Sequence, residues 1–163
     1  SYKAAIAGLN LGGGKAVIIG NSRNDKNEIL FRSFGRFVEG LAGRYITAED
    51  VGTSVKDMEW VRMETRYVTG ISRALGGSGD PAPVTALGTF SGIKATVKKQ
   101  FGKESLNGLS IAVQGLGHVG YHLCKYLSKE GVNLYVNDID SNAIKRVINE
   151  FGGSVIDLSL IHI

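Results

Sequence analysis

A glycine-rich turn between two apolar runs constrains the fold of this chain more than any other feature. Residues 109–114 predict a buried strand, and the pattern G-x-G-x-x-G follows directly at residues 115–120. A helical pattern then leads to a second apolar run at residues 132–136, and a third, shorter run lies at residues 154–156. Strands that alternate with helices are typical of βαβ units and a parallel sheet. The sequence therefore predicts an α/β fold.

The spacing of this turn is typical of a dinucleotide site. Gly115 permits a tight turn, Gly117 lets the backbone approach a pyrophosphate, and Gly120 lets the helix, predicted over residues 121–129, pack closely on the strand. The second strand ends at Asp138, which can bind an adenosine ribose and repels a 2′-phosphate. This arrangement predicts NAD as the cofactor, and a glycine turn without a ligand is the alternative. The candidate cofactor residues here are Gly115, Leu116, Gly117, His118, Val119, Gly120 and Asp138.

A second glycine-rich stretch, G-G-G-K at residues 12–15, lies near the start of the chain. The apolar run that follows, residues 16–19, predicts a buried strand, so Lys15 is expected at a tight turn that can take positive φ angles. The stretch is not a phosphate-binding P-loop, because Ala16 stands where that motif needs Ser or Thr. A surface lysine on a flexible turn is the alternative interpretation.

Two further polar groups are expected near Lys15. Residues 2–7 predict a helix that ends at Gly8 and places Lys3 near the glycine stretch. Residues 44–48 predict a strand that leads to Asp50, and α/β folds place functional groups just beyond strand ends. The alternative for Asp50 is an N-cap of the next helix, in which Ser54 and Asp57 also have the spacing of a capping box.

Composition limits the classes of function. The net charge is +4, but the basic residues are scattered, so no nucleic-acid partner is expected. No apolar run approaches the roughly 20 residues of a membrane span, and a cytoplasmic protein without a membrane partner is predicted. The three histidines lack metal-ligand spacing, so no metal is predicted, and the single cysteine, Cys124, is expected in the core.

Four motifs occur in the order found in one known family, at residues 8–18, 45–53, 78–86 and 111–138. Together they resemble the Glu/Leu/Phe/Val amino-acid dehydrogenases, and most strongly the members that act on leucine. The resemblance implies part of a substrate domain over residues 1–82. The linking helix and the first half of a Rossmann dinucleotide-binding domain would follow over residues 83–163, after a hinge at residues 76–83 that is rich in Gly and Pro.

The resemblance also implies roles for single residues. Lys15 would be the catalytic lysine, Asp50 its acidic partner in proton transfer, and Lys3 the group that holds the substrate α-carboxylate. Ala48 would line the side-chain pocket, with Leu9 near it. In the cofactor site, Thr85 would contact the nicotinamide.

The implied activity is NAD-dependent oxidative deamination of L-leucine and related branched-chain amino acids to 2-oxo acids and ammonia. Deamination of valine or phenylalanine is the alternative within the family, and a non-catalytic NAD-binding module is the alternative outside it. The chain lacks an initial Met and ends in an apolar run, so we expect a fragment, inactive by itself, of a homo-oligomeric enzyme. Residues 159–163 depart from the resemblance and are left outside the fold prediction.

Overall fold

The computed structural model describes residues 2–157, which form two compact units with a boundary between Asp80 and Pro81. Residues 159–163, which depart from the family resemblance, lie outside the described residues. The first unit contains α1 (Tyr2–Ile6), α2 (Glu28–Gly40), α3 (Val55–Arg62) and a 3₁₀ turn (Arg73–Leu75). The second unit contains α4 (Ala82–Phe101), β1 (Ser110–Gln114), α5 (His118–Ser128), β2 (Asn133–Asn137), α6 (Ser141–Phe151) and β3 (Ser154–Val155).

Local capping signals determine where the two longer helices of the first unit begin. The Asn27 side chain accepts a hydrogen bond from the Leu30 N–H at 2.9 Å and so caps α2. At α3, Ser54 and Asp57 form the capping box that their spacing predicts. Since Ser54 is the cap of α3, the alternative interpretation of Asp50 as that cap is wrong.

The core of the first unit lies between α2 and α3. Phe31 and Trp60 stack with ring centroids 6.1 Å apart, and Phe31 is 2% exposed. The two helices approach closely at Gly35, where an added Cβ would lie 2.8 Å from the Val61 carbonyl oxygen. The buried face of α2 is therefore the face that carries Gly35, whereas Phe37, which is apolar and near the helical period, is 80% exposed.

The strands expected in the first unit are mostly absent from its described residues. The prediction of a buried strand at residues 16–19 is wrong, because this stretch has no regular structure and Ile19 is 99% exposed. The predicted strand at residues 44–48 is reduced to one parallel bridge between Thr47 and Val68. An apolar run becomes a strand only where a neighbouring chain segment satisfies its backbone hydrogen bonds, and no such ladder forms here.

The second unit confirms the predicted α/β fold. Its sheet has the order β1-β2-β3, all strands are parallel, and helices connect them. This corresponds to the first half of a Rossmann-type sheet. One core of buried side chains fills the space between the sheet and the helices, and its fully buried members include Ala86, Leu116, Cys124, Leu127, Val136 and Val147.

Cys124 lies in this core, as its apolar neighbours on the helical pattern predict. Its side chain is fully buried, and burial raises the pKa of its thiol to about 11. The thiol therefore stays protonated and packs as a small apolar group. Among residues 2–157, no helix is long and apolar enough to cross a membrane.

Gly120 is required by the packing of α5 on its own turn. A Cβ at this position would lie 1.9 Å from the Gly115 carbonyl oxygen, which is backbone and cannot move aside cheaply. We expect Gly120→Ala to lower the free energy of unfolding by about 1–3 kcal/mol, as measured by denaturant titration. Gly92→Ala is the matched control, because Gly92 lies within α4 with open space around it. If both variants are equally stable, the close contact at Gly120 is not a constraint.

Candidate functional site

An open cleft of about 740 Å³ in the first unit brings together most of the residues that the sequence indicated there. Lys3 reaches it from α1, and Lys15 from the loop after the three glycines. Ala48 and Asp50 reach it from the segment that follows Thr47, whose backbone is hydrogen-bonded to Tyr67 and Thr69. These four predicted residues give the cleft wall two ammonium groups, one carboxylate and a small apolar side chain.

Lys15 and Asp50 form an ion pair across the cleft. Their side chains are 64% and 57% exposed, so water screens the attraction between the two charges. Exposed pairs of this kind contribute about 0–1 kcal/mol to stability. The pair is therefore accessible to a ligand and is of little use for holding the fold together.

The carboxylate of Asp50 is oriented by the turn in which it lies. Its Oδ1 accepts the Val51 N–H at 2.8 Å, which leaves Oδ2 directed to Lys15. The turn closes through Thr53, whose Oγ1 accepts the Asp50 N–H and donates to the Asp50 carbonyl, both at 2.8 Å. Gly52 has a φ of +80° in this turn, a conformation that favours glycine.

The glycine stretch positions Lys15 differently from what the sequence suggested. Within residues 8–15, only Gly8 has a positive φ, at the end of α1. The tight position is Gly14, where an added Cβ would lie 2.9 Å from Cδ2 of Tyr45. Close packing against an aromatic ring, and not a left-handed backbone, is what requires a glycine immediately before Lys15.

Leu9 is not one of the described residues that line the cleft. Its N–H donates to the Ala4 carbonyl at 2.9 Å, so its backbone belongs to the C-terminal end of α1, and its side chain is 55% exposed. A role for Leu9 in substrate binding stays a prediction.

Sequence reasoning missed three charged residues of the cleft wall, which are Asp25, Lys26 and Glu49. Lys26 lines the cleft and its Nζ lies 2.7 Å from Oδ2 of Asp57, whose side chain is 4% exposed. The same carboxylate oxygen accepts the Ser54 N–H at 2.8 Å. The capping box revealed Asp57, but no local pattern indicates a partner 31 residues earlier in the chain.

The glycine turn of the second unit has the geometry that its motif predicts. Gly115 has a φ of +89°, and its N–H donates to the Asn137 carbonyl at 2.9 Å. A Cβ at Gly117 would meet no protein atom within 4 Å, so this glycine leaves open space beside the backbone. Helix α5 begins at His118, earlier than residue 121, because Gly117 already acts as its N-cap, without a capping side chain.

The carboxylate of Asp138 is held beside this turn. Its Oδ2 accepts the Leu116 N–H, and its Oδ1 accepts the Asp140 N–H at 2.8 Å. These two backbone hydrogen bonds, the one from Leu116 foremost, hold the pKa of Asp138 below its usual value. A fixed carboxylate next to an open glycine turn fits a dinucleotide that presents a ribose and phosphates there.

The remaining predicted cofactor residues lie on the two helices and in the core. His118 and Val119 form the first turn of α5 and are exposed, whereas the Leu116 side chain is fully buried, so only its peptide group faces the turn. The Thr85 hydroxyl donates to the Pro81 carbonyl at 3.1 Å in the first turn of α4. The contacts that these residues make with a cofactor stay predictions.

Comparison with known proteins identifies the family of this chain. Residues 1–67 match the family described as Glu/Leu/Phe/Val dehydrogenase, dimerisation domain. The chain is 58% identical to a leucine dehydrogenase of Bacillus subtilis over 157 residues, which is 96% of this chain and 43% of that protein. The chain belongs to the Glu/Leu/Phe/Val dehydrogenase family. The resemblance that the motifs indicate is thereby confirmed.

Two solved structures of related dehydrogenases support the fold. An L-tryptophan dehydrogenase from Nostoc punctiforme is 43% identical, with a TM-score of 0.63 over 97% of this chain and 44% of that chain. A hetero-hexameric glutamate dehydrogenase from Thermus thermophilus is 26% identical, with a TM-score of 0.71 over 84% of this chain and 36% of that chain. The chain thus spans less than half the length of these dehydrogenases.

The hydrogen bonds to Asp138 lead to a dependence of stability on pH. Because folding lowers the pKa of this carboxyl, the ionised form contributes stability above its ordinary pKa, and that contribution is lost as the pH falls. We expect Asp138→Asn to lose less stability than the wild type between about pH 5 and pH 3, in thermal melts. The control is Glu104→Gln, which removes a carboxylate whose side chain is 78% exposed. If the stability of Asp138→Asn depends on pH as strongly as that of the wild type, the ionised Asp138 carboxylate does not stabilise the fold.

Proposed function

We propose that this protein is an NAD-dependent amino-acid dehydrogenase that oxidatively deaminates L-leucine and related branched-chain amino acids. The observation that carries the proposal is the accessible Lys15–Asp50 ion pair in a cleft that Lys3 also lines. The 58% identity to a leucine dehydrogenase supports the same substrate class. The products are a 2-oxo acid and ammonia.

Lys3, Lys15 and Asp50 each have a part in this chemistry. Lys3 holds the substrate α-carboxylate, because an ammonium group attracts and hydrogen-bonds a carboxylate. Oxidation at the α-carbon converts the amine to an imine, which water then attacks. Lys15 acts as the base that removes a proton from that water, and Asp50, which contacts Lys15, passes this proton on to the amine that leaves as ammonia.

The glycine turn of the second unit binds the cofactor in this proposal. A bound nicotinamide supplies the chemistry of accepting the hydride from the substrate α-carbon. The N-terminal end of α5 attracts the pyrophosphate, and the open space at Gly117 admits it. Asp138 accepts hydrogen bonds from the ribose hydroxyls and repels a 2′-phosphate, which favours NAD over NADP. Thr85 contacts the nicotinamide.

The preference for branched aliphatic substrates follows from the small side chain of Ala48 in the cleft. A methyl group at this position leaves room for a branched side chain and adds no polar atom. Since relatives of this chain include an L-tryptophan dehydrogenase, the family also accommodates larger side chains, and valine and phenylalanine remain the competing substrates.

The proposal extends to the parts and the assembly of the whole enzyme. Residues 1–82 form part of the substrate domain, and residues 83–163 form the linking helix and part of the NAD-binding domain. A homo-oligomer is expected, which the match to a dimerisation domain supports. The cytoplasmic location remains a prediction of the sequence.

Replacement of Lys15 tests the catalytic role. We expect Lys15→Ala in the intact protein to lower kcat for L-leucine by about 10²–10⁴-fold, measured by the appearance of NADH, because the proposed general base is then absent. Lys98→Ala is the matched control, since Lys98 pairs with Glu104 on the surface of the second unit. An intact wild-type protein that binds NADH but turns over neither leucine, valine nor phenylalanine would favour the non-catalytic binding module.

Replacement of Asp138 tests the choice of cofactor. The wild type is expected to use NAD with a kcat/KM at least about tenfold above that for NADP, because the carboxylate repels the 2′-phosphate. Asp138→Ala should reduce this ratio chiefly by improving the kcat/KM for NADP. Equal use of the two cofactors by the wild type would rule out Asp138 as the discriminating group.

A further inference from the structure

Both backbone polar groups of Leu116, in the glycine turn, are held by side chains of residues that follow β2. Its N–H donates to Oδ2 of Asp138. Its carbonyl oxygen accepts a hydrogen bond from Nη2 of Arg146, at 3.4 Å. Arg146 lies in α6, so a helix beyond the second strand contacts the turn between β1 and α5.

Arg146 is itself held over an aromatic ring. Its guanidinium carbon lies 4.3 Å from the centroid of the Tyr121 ring, which is within the range of a cation–π contact. The Tyr121 hydroxyl donates to the carboxylate of Glu150, which lies one turn after Arg146 on α6. The Tyr121 ring also packs against Phe151, with centroids 5.1 Å apart. The guanidinium is thus placed by a scaffold of α5 and α6 side chains.

Tyr121 connects this scaffold back to the turn. Its N–H donates to the Gly117 carbonyl at 2.9 Å, within the first turn of α5. The two peptide groups at Leu116 and Gly117, where the dinucleotide is expected, are therefore fixed by groups on either side. A planar guanidinium suits this task, because it can donate to a carbonyl while its face stays on a ring.

We propose that Arg146 is a positioning residue for the dinucleotide: it fixes the Leu116 carbonyl and so presets the glycine turn. The inference rests on the proposed NAD site and deepens it. Arg146 acts through Leu116 and does not itself contact the cofactor. Loss of its guanidinium allows the turn to sample other conformations, which lowers affinity without changing the groups that bind the cofactor.

The test compares Arg146→Met, Arg146→Lys and Lys145→Met in the intact protein. Lys145→Met removes the same charge from the neighbouring position of α6 and so controls for long-range electrostatics. The dissociation constant of NADH is measured by fluorescence, and amide hydrogen exchange of Leu116 and Gly117 is measured without ligand.

We expect Arg146→Met to raise the dissociation constant of NADH about three- to tenfold and to speed exchange at both amides. Arg146→Lys should recover part of the affinity, because an ammonium group can still lie over the Tyr121 ring. Lys145→Met should match the wild type in both measurements. Thermal midpoints of all three variants should agree within about 2 °C, which separates positioning from a loss of the fold.

Three results would overturn the proposal. The first is an unchanged affinity and exchange rate in Arg146→Met, and the second is an equal loss of affinity in Lys145→Met. The third is a large drop in the thermal midpoint of Arg146→Met that accounts for the lost affinity. A wild-type protein that binds no NADH contradicts the proposed NAD site. In that case, faster amide exchange in Arg146→Met but not in Lys145→Met still supports the role of Arg146 in fixing the turn.

Discussion

The second unit depends on the parallel pairing of β1 with β2, in a register that aligns the carboxyl ends of the two strands. Gln114 pairs with Asn137, so the residues that follow each strand meet at the same edge of the sheet. The Gly115 N–H then reaches the Asn137 carbonyl, and the Leu116 N–H reaches Asp138. A shift of one residue would separate these groups and turn the alternate side chains to the other face. The glycine turn and its carboxylate are thus one arrangement, produced by the register of two strands.

The first unit separates the charges that stabilise it from the charges that are available for chemistry. The buried carboxylate of Asp57 joins Lys26 to the start of α3, and removal of one partner of such a pair is costly. The Lys15–Asp50 pair is open to water, and its contribution to stability is small. Because the exposed pair is not needed for the fold, its two groups are available for the substrate binding and proton transfer that we propose.

Much of the local structure could be predicted from the sequence. The capping box at Ser54 depends on residues within a few positions of one another, and the βαβ pattern of the second unit depends on successive apolar runs with the turns between them. The expected strand at residues 16–19 does not form. A strand needs a partner segment from elsewhere in the chain, and an apolar run does not indicate whether such a partner is present. The start of α5 was also misplaced, because Gly117 acts both as a motif residue and as the N-cap.

The sequence by itself determined the glycine turn, the acid after the second strand, and the residue types Lys3, Lys15 and Asp50, because these depend on residue type and short spacing. Tertiary structure alone decided that Lys15 contacts Asp50, that Lys26 contacts Asp57, and that Arg146 reaches the Leu116 carbonyl. These pairs join segments about 30 residues or more apart. Their contacts follow from how helices and strands pack, and packing is a property of the whole core that no short stretch of sequence specifies.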